Sequence, residues 1–389
     1  MPNLRTVVTE LGTGLGLLGH PEIDQVLTSR PKAMRSLSPE DWDQLDSLRA
    51  GGAYDVEFHA AWENGRAFFL AGDGLRGRQP LVVEWKGSVR SAGDEVAPVD
   101  LRVDHVYLVS CKYLSNILFN VAPANVFDAL LVGGQGRRGR GPVVDWYADV
   151  APEPYQRLYE LVRHHLENQG PAEPEPEGAD HAPSLSTGGP PSLPGLELVA
   201  AGTRSTHAEV APHPALNGRD LPARAVDLTT AQRVGLGKAL HDGWPGEAKA
   251  AYRALSDEVA RASARRWLAA LSEGAGAREA MLWRLLRMGG APYFVLGSSA
   301  TQSLRLRIAT PWDWRQQFSL ARLEVFAQEG GQPRVGWRAE VKERASGHLI
   351  EVLGHVEVRW SHGRFGGLPE AKGYIDTPHH LIPGYFPLR

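Results

Sequence analysis

The sequence predicts an α/β protein of the α+β kind: a mixed sheet flanked by helices, then a flexible linker, a helical segment and an antiparallel sheet. Three observations support this class. Apolar residues make up 42% of the 389 residues, which is enough for folded cores. Patterns typical of helices and of strands occur on both sides of one segment rich in proline, glycine and acid, residues 169–195. That segment contains only two large apolar residues, so it cannot bury enough surface to offset its ordering entropy.

The linker at 169–195 therefore suggests two domains, residues 1–168 and residues 196–389. In the first, Ser38 is a suitable N-cap because a proline and two acids follow it, as at the start of many helices. Short apolar runs bounded by turn residues predict strands. The predicted helices are 38–50, 54–70, 115–131 and 155–167, and the predicted strands are 81–85, 99–103, 106–109 and 143–147.

The second domain changes character midway. Residues 229–288 carry alanine, leucine and arginine at helical spacing, which predicts a helix-rich segment. From Pro292 onward, apolar and polar residues alternate between turn residues, which predicts an antiparallel sheet of four to five strands.

Composition excludes several classes of protein. With 42 basic and 45 acidic side chains, the net charge of −3 does not make the whole chain an electrostatic attractant for nucleic acid. The single cysteine, Cys111, excludes an intramolecular disulfide and a multi-cysteine zinc site. No run of eighteen apolar residues and no secretory leader pattern occurs, so we expect a cytoplasmic protein without a membrane span.

The strongest functional signal is an acid and a lysine on neighbouring predicted strands. Asp100 opens one arm of a hairpin that turns at Asp104-His105, and Lys112 closes the other arm. The start of one strand lies beside the end of its antiparallel partner, so we expect the two side chains to meet at one sheet edge. Only seven of the 42 basic residues are lysines, which makes a lysine at this position more notable. A carboxylate there can bind a hard divalent cation, and a lysine can position water or stabilise a phosphate.

This arrangement over residues 50–150 resembles the PD-(D/E)XK superfamily, the fold of many restriction endonucleases. The resemblance implies a restriction-endonuclease-like sheet, hydrolysis of DNA with Mg²⁺ or Mn²⁺, and a homodimer. It implies a metal bound by Asp100 and by an acid on the preceding helix, Glu57 or Glu63, with Lys112 as the catalytic lysine. The sequence departs from the family pattern at Ser110, where most members carry an acid. Glu84 is a candidate replacement, although Glu84-Trp85-Lys86 is itself a second match to the acid-x-lysine pattern.

Two other segments are weaker candidates. The glycine-rich stretch 133–141 presents Arg137, Arg138 and Arg140, which are able to contact phosphates or to lie on a surface loop. The C-terminal tail concentrates histidines and aromatic residues, and it is interpreted as a segment wrapped over the sheet, a metal site or a surface that contacts bases or phosphates. The residues concerned are Asp376, His362, His379 and His380 for the metal, and Arg359, Trp360, Arg364 and Phe365 for the surface.

The sequence thus predicts a metal-dependent DNA endonuclease of restriction type whose C-terminal domain recognises the target or a protein partner. Two alternatives stay open. The serine at position 110 favours an inactive nuclease-like protein that binds DNA or a partner. A linker between two folded units also suits a pure protein-interaction module.

Overall fold

A computed structural model describes residues 4–87, 99–113, 117–128, 145–168, 216–272, 274–298 and 303–389. The linker predicted at 169–195 and the candidate phosphate-binding residues Arg137, Arg138 and Arg140 lie outside the described residues.

The described residues form eleven α-helices. Several begin with a local sequence signal: Ser38 and Thr229 each form a capping box with the third helical residue, which satisfies amides at the helix start. The helices are α1 Leu4–Gly16, α2 Ile23–Ser29, α3 Pro39–Ala50, α4 Asp55–Leu70, α5 Pro123–Phe127, α6 Trp146–Val150, α7 Pro152–Asn168, α8 Thr230–Ala239, α9 Ala248–Leu271, α10 Ala275–Leu285 and α11 Pro311–Gln317.

The strands of the described residues form two sheets. They are β1 Met34–Arg35, β2 Val83–Trp85, β3 Leu101–Val103, β4 Tyr107–Tyr113, β5 Ile117–Val121, β6 Tyr293–Ser298, β7 Ser303–Ile308, β8 Phe318–Gln328, β9 Arg334–Glu343, β10 Leu349–Trp360, β11 Pro369–Ile375 and β12 Tyr385–Pro387. The seven-stranded sheet has the order β1-β2-β3-β4-β6-β7-β12 and is mixed, because β1 runs parallel to β2 and β4 parallel to β6. The five-stranded sheet has the order β5-β11-β10-β9-β8 and is antiparallel.

Both sheets combine strands from the two sides of the linker segment. In the mixed sheet, β6 pairs along its whole length with β4, from Tyr293 opposite Leu108 to Ser298 opposite Tyr113. In the antiparallel sheet, β5 pairs with β11. The expected division into 1–168 and 196–389 therefore does not coincide with a division between sheets.

The predicted mixed α/β class is confirmed. The helices predicted at 38–50, 54–70 and 155–167 are present as α3, α4 and α7, and 229–288 contains α8, α9 and α10. The hairpin turns where expected: Asp104 and His105 both have positive φ, 50° and 59°, the pair of left-handed residues that a two-residue hairpin turn of type I′ requires. The 303–308 strand joins the mixed sheet and not the antiparallel one.

Two predicted elements are wrong. The helix expected at 115–131 is instead strand β5 followed by the short helix α5. The residues of β5 include isoleucine, phenylalanine and valine, which suit a half-buried strand, and Pro123 occupies the first turn of α5, where proline is tolerated. The strand expected at 143–147 is wrong at its described end, because Asp145 caps α6 by accepting a hydrogen bond from the Tyr147 amide, 3.1 Å.

Helices α1 and α4 pack tightly against each other and cover one face of the mixed sheet. Gly16 and Gly65 lie at their closest approach: a Cβ on Gly65 would stand 2.1 Å from the Thr13 carbonyl oxygen. The opposite face of this sheet packs on a larger core shared with α9, α10 and the antiparallel sheet. None of the helices in the described ranges is long and apolar enough to cross a membrane.

Candidate active site

The hairpin of β3 and β4 places Asp100 directly beside Ser110. Leu101 pairs with Val109, so the next positions outward, Asp100 and Ser110, face each other across the two strands. The Ser110 hydroxyl donates to Asp100 Oδ2 at 3.1 Å, and the Cys111 amide donates to the same oxygen at 2.6 Å. Ser110 is completely buried. The Asp100 carboxylate is therefore fixed in position by its neighbour strand.

Lys112 lies two residues beyond Ser110 and points to the same face of β4, because side chains alternate along a strand. Burial lowers the pKa of Lys112 from 10.5 to about 8, helped by the positive charge of Arg287, while the Asp100 carboxylate acts in the opposite direction. Asp100 and Lys112 are thus close enough to interact, as the strand register predicts.

Gly297 provides space beside Lys112 on the adjacent strand β6. It pairs with Lys112, and a Cβ on Gly297 would lie 1.9 Å from the Lys112 carbonyl oxygen. Its φ of +156° lies in a region that few other residues adopt. The close approach of β4 and β6 at this position therefore depends on glycine.

Glu10 on α1 supplies a second carboxylate at this end of the sheet. The Trp85 indole donates to Glu10 Oε2 at 2.7 Å. The negative charge of Glu10 contributes, with that of Asp100, to favouring the protonated form of Lys112. Sequence reasoning missed Glu10 because α1 was not predicted. The apolar spacing of Val7, Val8, Leu11 and Leu15, all buried in the structure, is a signal from which this helix could have been predicted.

The other acids proposed for the metal have different partners. Glu57 is buried on α4 and forms an ion pair with Arg5 at 2.9 Å, while Glu63 on the same helix is exposed. Glu84 faces Arg102 across β2 and β3, accepts from its Nε at 2.8 Å, and lies 3.5 Å from the Lys86 ammonium. Burial acts to raise the pKa of Glu84, but these two cations outweigh it and hold the pKa below its usual value. Glu84 is therefore engaged in a local ion-pair cluster.

A chain of buried polar groups extends from Asp100 away from the hairpin. Tyr293 on β6 hydrogen-bonds to Ser110, and its hydroxyl accepts from Nη1 of Arg287 at 3.1 Å. Burial raises the pKa of Tyr293, so the phenol stays protonated at neutral pH. Arg287 is 1% exposed. Neither Tyr293 nor Arg287 carries a local sequence signal that would have assigned it to the site.

Cys111 points to the opposite face of β4, towards α1, and is buried. Burial, together with the charges of Asp100 and Glu10, raises the pKa of its thiol well above the ordinary value. A nucleophilic thiolate is therefore disfavoured.

The C-terminal tail is distributed over several environments. Asp376 pairs with His355 at 2.9 Å, and His379 stacks on Tyr385. Among the described residues, no group of three histidines, cysteines or acids is arranged to bind a metal.

Arg359 and Arg364, predicted as a contact surface, line an open cleft of about 510 Å³. Trp360 and Phe365 are buried, and Trp360 also lines this cleft. The aromatic rings contact one another, with Tyr252 stacked on both Trp244 and Trp360. Arg364 lies over Trp244 and donates to the His241 carbonyl at 2.9 Å. Most side chains of this surface are therefore in contact with other residues of the protein.

Comparisons with protein-family models, with curated proteins and with solved structures found no match for this chain.

Proposed function

We propose that this protein is a metal-dependent DNA endonuclease of restriction type, with Asp100, Glu10 and Lys112 as its catalytic centre. The observation that carries the proposal is that Asp100, held by Ser110 and the Cys111 amide, and Glu10 both act electrostatically on the partly buried Lys112 at one end of a mixed sheet. Acids that can hold a metal ion and a lysine that can transfer a proton are groups able to support hydrolysis of a phosphodiester.

The order of elements supports the same proposal. An acid-bearing helix, α1, precedes β3, which begins directly after Asp100, and β4, which carries Ser110-Cys111-Lys112 near its end. This is the order of the family that the sequence resembles, with Glu10 in the place for which Glu57 and Glu63 were considered. The strand β5 after β4 departs from that order, because the family has a helix there.

The donor set suits Mg²⁺ or Mn²⁺. These cations prefer carboxylate oxygens and are commonly held by one or two carboxylates, with water and substrate phosphate completing the shell. Asp100 and Glu10 would hold the cation. When bound, it would polarise the phosphate and lower the pKa of a bound water.

The protein groups have separate tasks in this proposal. Ser110 and the Cys111 amide fix Asp100 through one oxygen, so that the carboxylate is oriented before the substrate arrives. Lys112, with its pKa near 8, exchanges a proton within the physiological range, so it is suited to take a proton from water. In its protonated form it offsets negative charge on the phosphate.

By the same resemblance, the substrate is DNA and two copies of the chain pair to cut both strands. Recognition of the target or of a protein partner is assigned to the C-terminal part of the chain.

One observation favours a second candidate, a nuclease-like protein that binds DNA without cutting it. Ser110 occupies the position of the second acid, and its hydroxyl is engaged by Asp100 and Tyr293. Binding that needs no divalent cation and that weakens steeply with salt would select this alternative.

The test is cleavage of plasmid and linear DNA by the full-length protein with Mg²⁺, Mn²⁺ or EDTA. We expect cleavage that requires metal and that is lost in Asp100→Asn, Lys112→Ala and Glu10→Gln. Matched controls are Glu63→Gln, an exposed acid on α4, and Lys342→Ala, an exposed lysine on β9, and both should cut normally. Cleavage that persists in Asp100→Asn or Lys112→Ala, or that is absent from the wild type, overturns the proposal.

A further inference from the structure

Arg287 lies just after the C-terminal end of α10, and its side chain is buried in the protein interior. It follows α10 with a left-handed backbone, φ 58°, and the Met288 amide donates to the Trp283 carbonyl at 2.7 Å. This arrangement is typical of a helix C-terminus, where glycine is the usual residue. The side chain is directed inward, so that the residue is 1% exposed. An arginine in this strained conformation suggests that its guanidinium is needed where it lies.

The Arg287 guanidinium is only partly paired. Nη1 donates to the Tyr293 hydroxyl, but Nε and Nη2 are buried and have no hydrogen-bond partner. No carboxylate within the described part of the chain forms an ion pair with it. Arginine remains charged at every physiological pH, and a buried charge without a counter-ion is costly. Within the described ranges, the Arg287 guanidinium therefore has no paired anion.

The two unpaired nitrogens lie on the same edge of the guanidinium. Nε and Nη2 present parallel N–H groups, the fork that binds two oxygens of a phosphate or a carboxylate. Nη1, on the other side, is the atom that Tyr293 engages. The contact with Tyr293 thus orients the planar group and leaves its bidentate edge unpaired.

Arg287 acts electrostatically on Lys112, Tyr293, His379 and Tyr385. Asp100 also acts on Lys112 and Tyr293, but no acid among the described residues forms an ion pair with Arg287. Burial is the largest cause of the lowered pKa of Lys112, and the charge of Arg287 is the second largest. Two cations that act on each other favour a ligand with more than one negative oxygen, and a phosphate fits this better than a single carboxylate.

We propose that Arg287 and Lys112 form an anion-binding position that takes a phosphate group, with the Arg287 Nε–Nη2 edge as its bidentate contact. This inference rests on the proposed function in one respect, since it takes the phosphate to be that of a nucleic-acid backbone. Inorganic phosphate shares the same chemistry and serves as the probe.

The test measures binding of inorganic phosphate to the full-length protein in EDTA, by equilibrium dialysis and by thermal unfolding in phosphate against chloride at equal ionic strength. We expect phosphate to raise the unfolding temperature of the wild type. Arg287→Met should weaken phosphate binding by about tenfold or more, because charge-assisted bonds are lost. In chloride it should be at least as stable as the wild type, because a buried unpaired charge has been removed.

A second variant, Arg287→Lys, keeps the test decisive if Arg287→Met does not fold. Arg287→Lys keeps the charge but not the fork, so it should also bind phosphate more weakly than the wild type. Arg315→Met, an arginine paired with Glu279 on the surface, is the control and should bind phosphate normally. Absence of phosphate binding by the wild type, or unchanged binding by Arg287→Lys or Arg287→Met, refutes the anion position.

Two further arms separate the ligand sources and the two proposals. A short single-stranded oligonucleotide should displace phosphate if the backbone is the ligand, and its failure to compete indicates that free phosphate is bound. Phosphate binding through Arg287 without any DNA cleavage leaves this position intact and refutes the nuclease. DNA cleavage by a protein that binds no phosphate through Arg287 leaves the nuclease proposal intact and refutes the anion-binding position.

Discussion

Replacing Lys112 by methionine should change how protein stability depends on pH. Burial and Arg287 lower the pKa of Lys112 from 10.5 to about 8 in the folded protein, whereas the unfolded chain keeps the ordinary value. Below pH 8 the lysine is charged in both the folded and the unfolded state. The folded state then carries the full free-energy cost of keeping this side chain charged in the protein. Between about pH 8 and 10.5 the folded protein loses the proton first, so stability rises with pH. The difference between the two pKa values corresponds to about 3 kcal/mol.

The assay is urea unfolding of the wild type and Lys112→Met at pH 7, 8, 9 and 10, with EDTA present so that no cation is bound. At pH 7 the variant should be more stable by about 3 kcal/mol, less the packing cost of the exchange, and most of this advantage should vanish by pH 10. Subtracting the two curves removes the contribution of the tyrosines, which also titrate there. Lys342→Met, at an exposed position, is the control and should show no such trend. A difference between wild type and Lys112→Met that stays constant over this range refutes the reasoning.

Three further changes have expected outcomes. Gly297→Ala should destabilise the fold by several kcal/mol in chemical unfolding, since its Cβ meets the Lys112 carbonyl at 1.9 Å; stability equal to wild type would show that β6 can shift. Gly65→Ala should likewise lower the unfolding temperature, because the Cβ would lie 2.1 Å from the Thr13 carbonyl, and an unchanged value would contradict the close packing of α1 on α4. Asp145→Ala should cost about 3–5 kcal/mol in urea unfolding because it leaves buried Arg233 unpaired, and a loss below about 1 kcal/mol would contradict this.

The part of the site that lies on one hairpin was predictable from the sequence. The turn at Asp104-His105 is local, and the two-residue period then determines which side chains share a face. These two rules are enough to bring Asp100 next to Ser110 and near Lys112. No information from distant parts of the chain is needed.

The rest of the site comes from distant segments and could not be predicted in this way. Glu10 reaches the hairpin from the first helix, and Tyr293 and Arg287 reach it through the parallel pairing of β4 with β6. Parallel strands need a long connection, and nothing in the local pattern of either strand identifies its partner. The same limit explains the incorrect helix at 115–131, because the pairing of β5 with the distant strand β11 is not visible in the local pattern.

The central claim is that Asp100 and Lys112 form a hydrolytic centre, and the most direct measurement is the rate of DNA cleavage by the wild type, Asp100→Asn and Lys112→Ala at saturating Mg²⁺ or Mn²⁺. The account predicts metal-dependent strand cleavage by the wild type and a rate lower by at least about a hundredfold in both variants, with their folding temperatures showing that the structure is retained. Cleavage at the wild-type rate by either folded variant would contradict it.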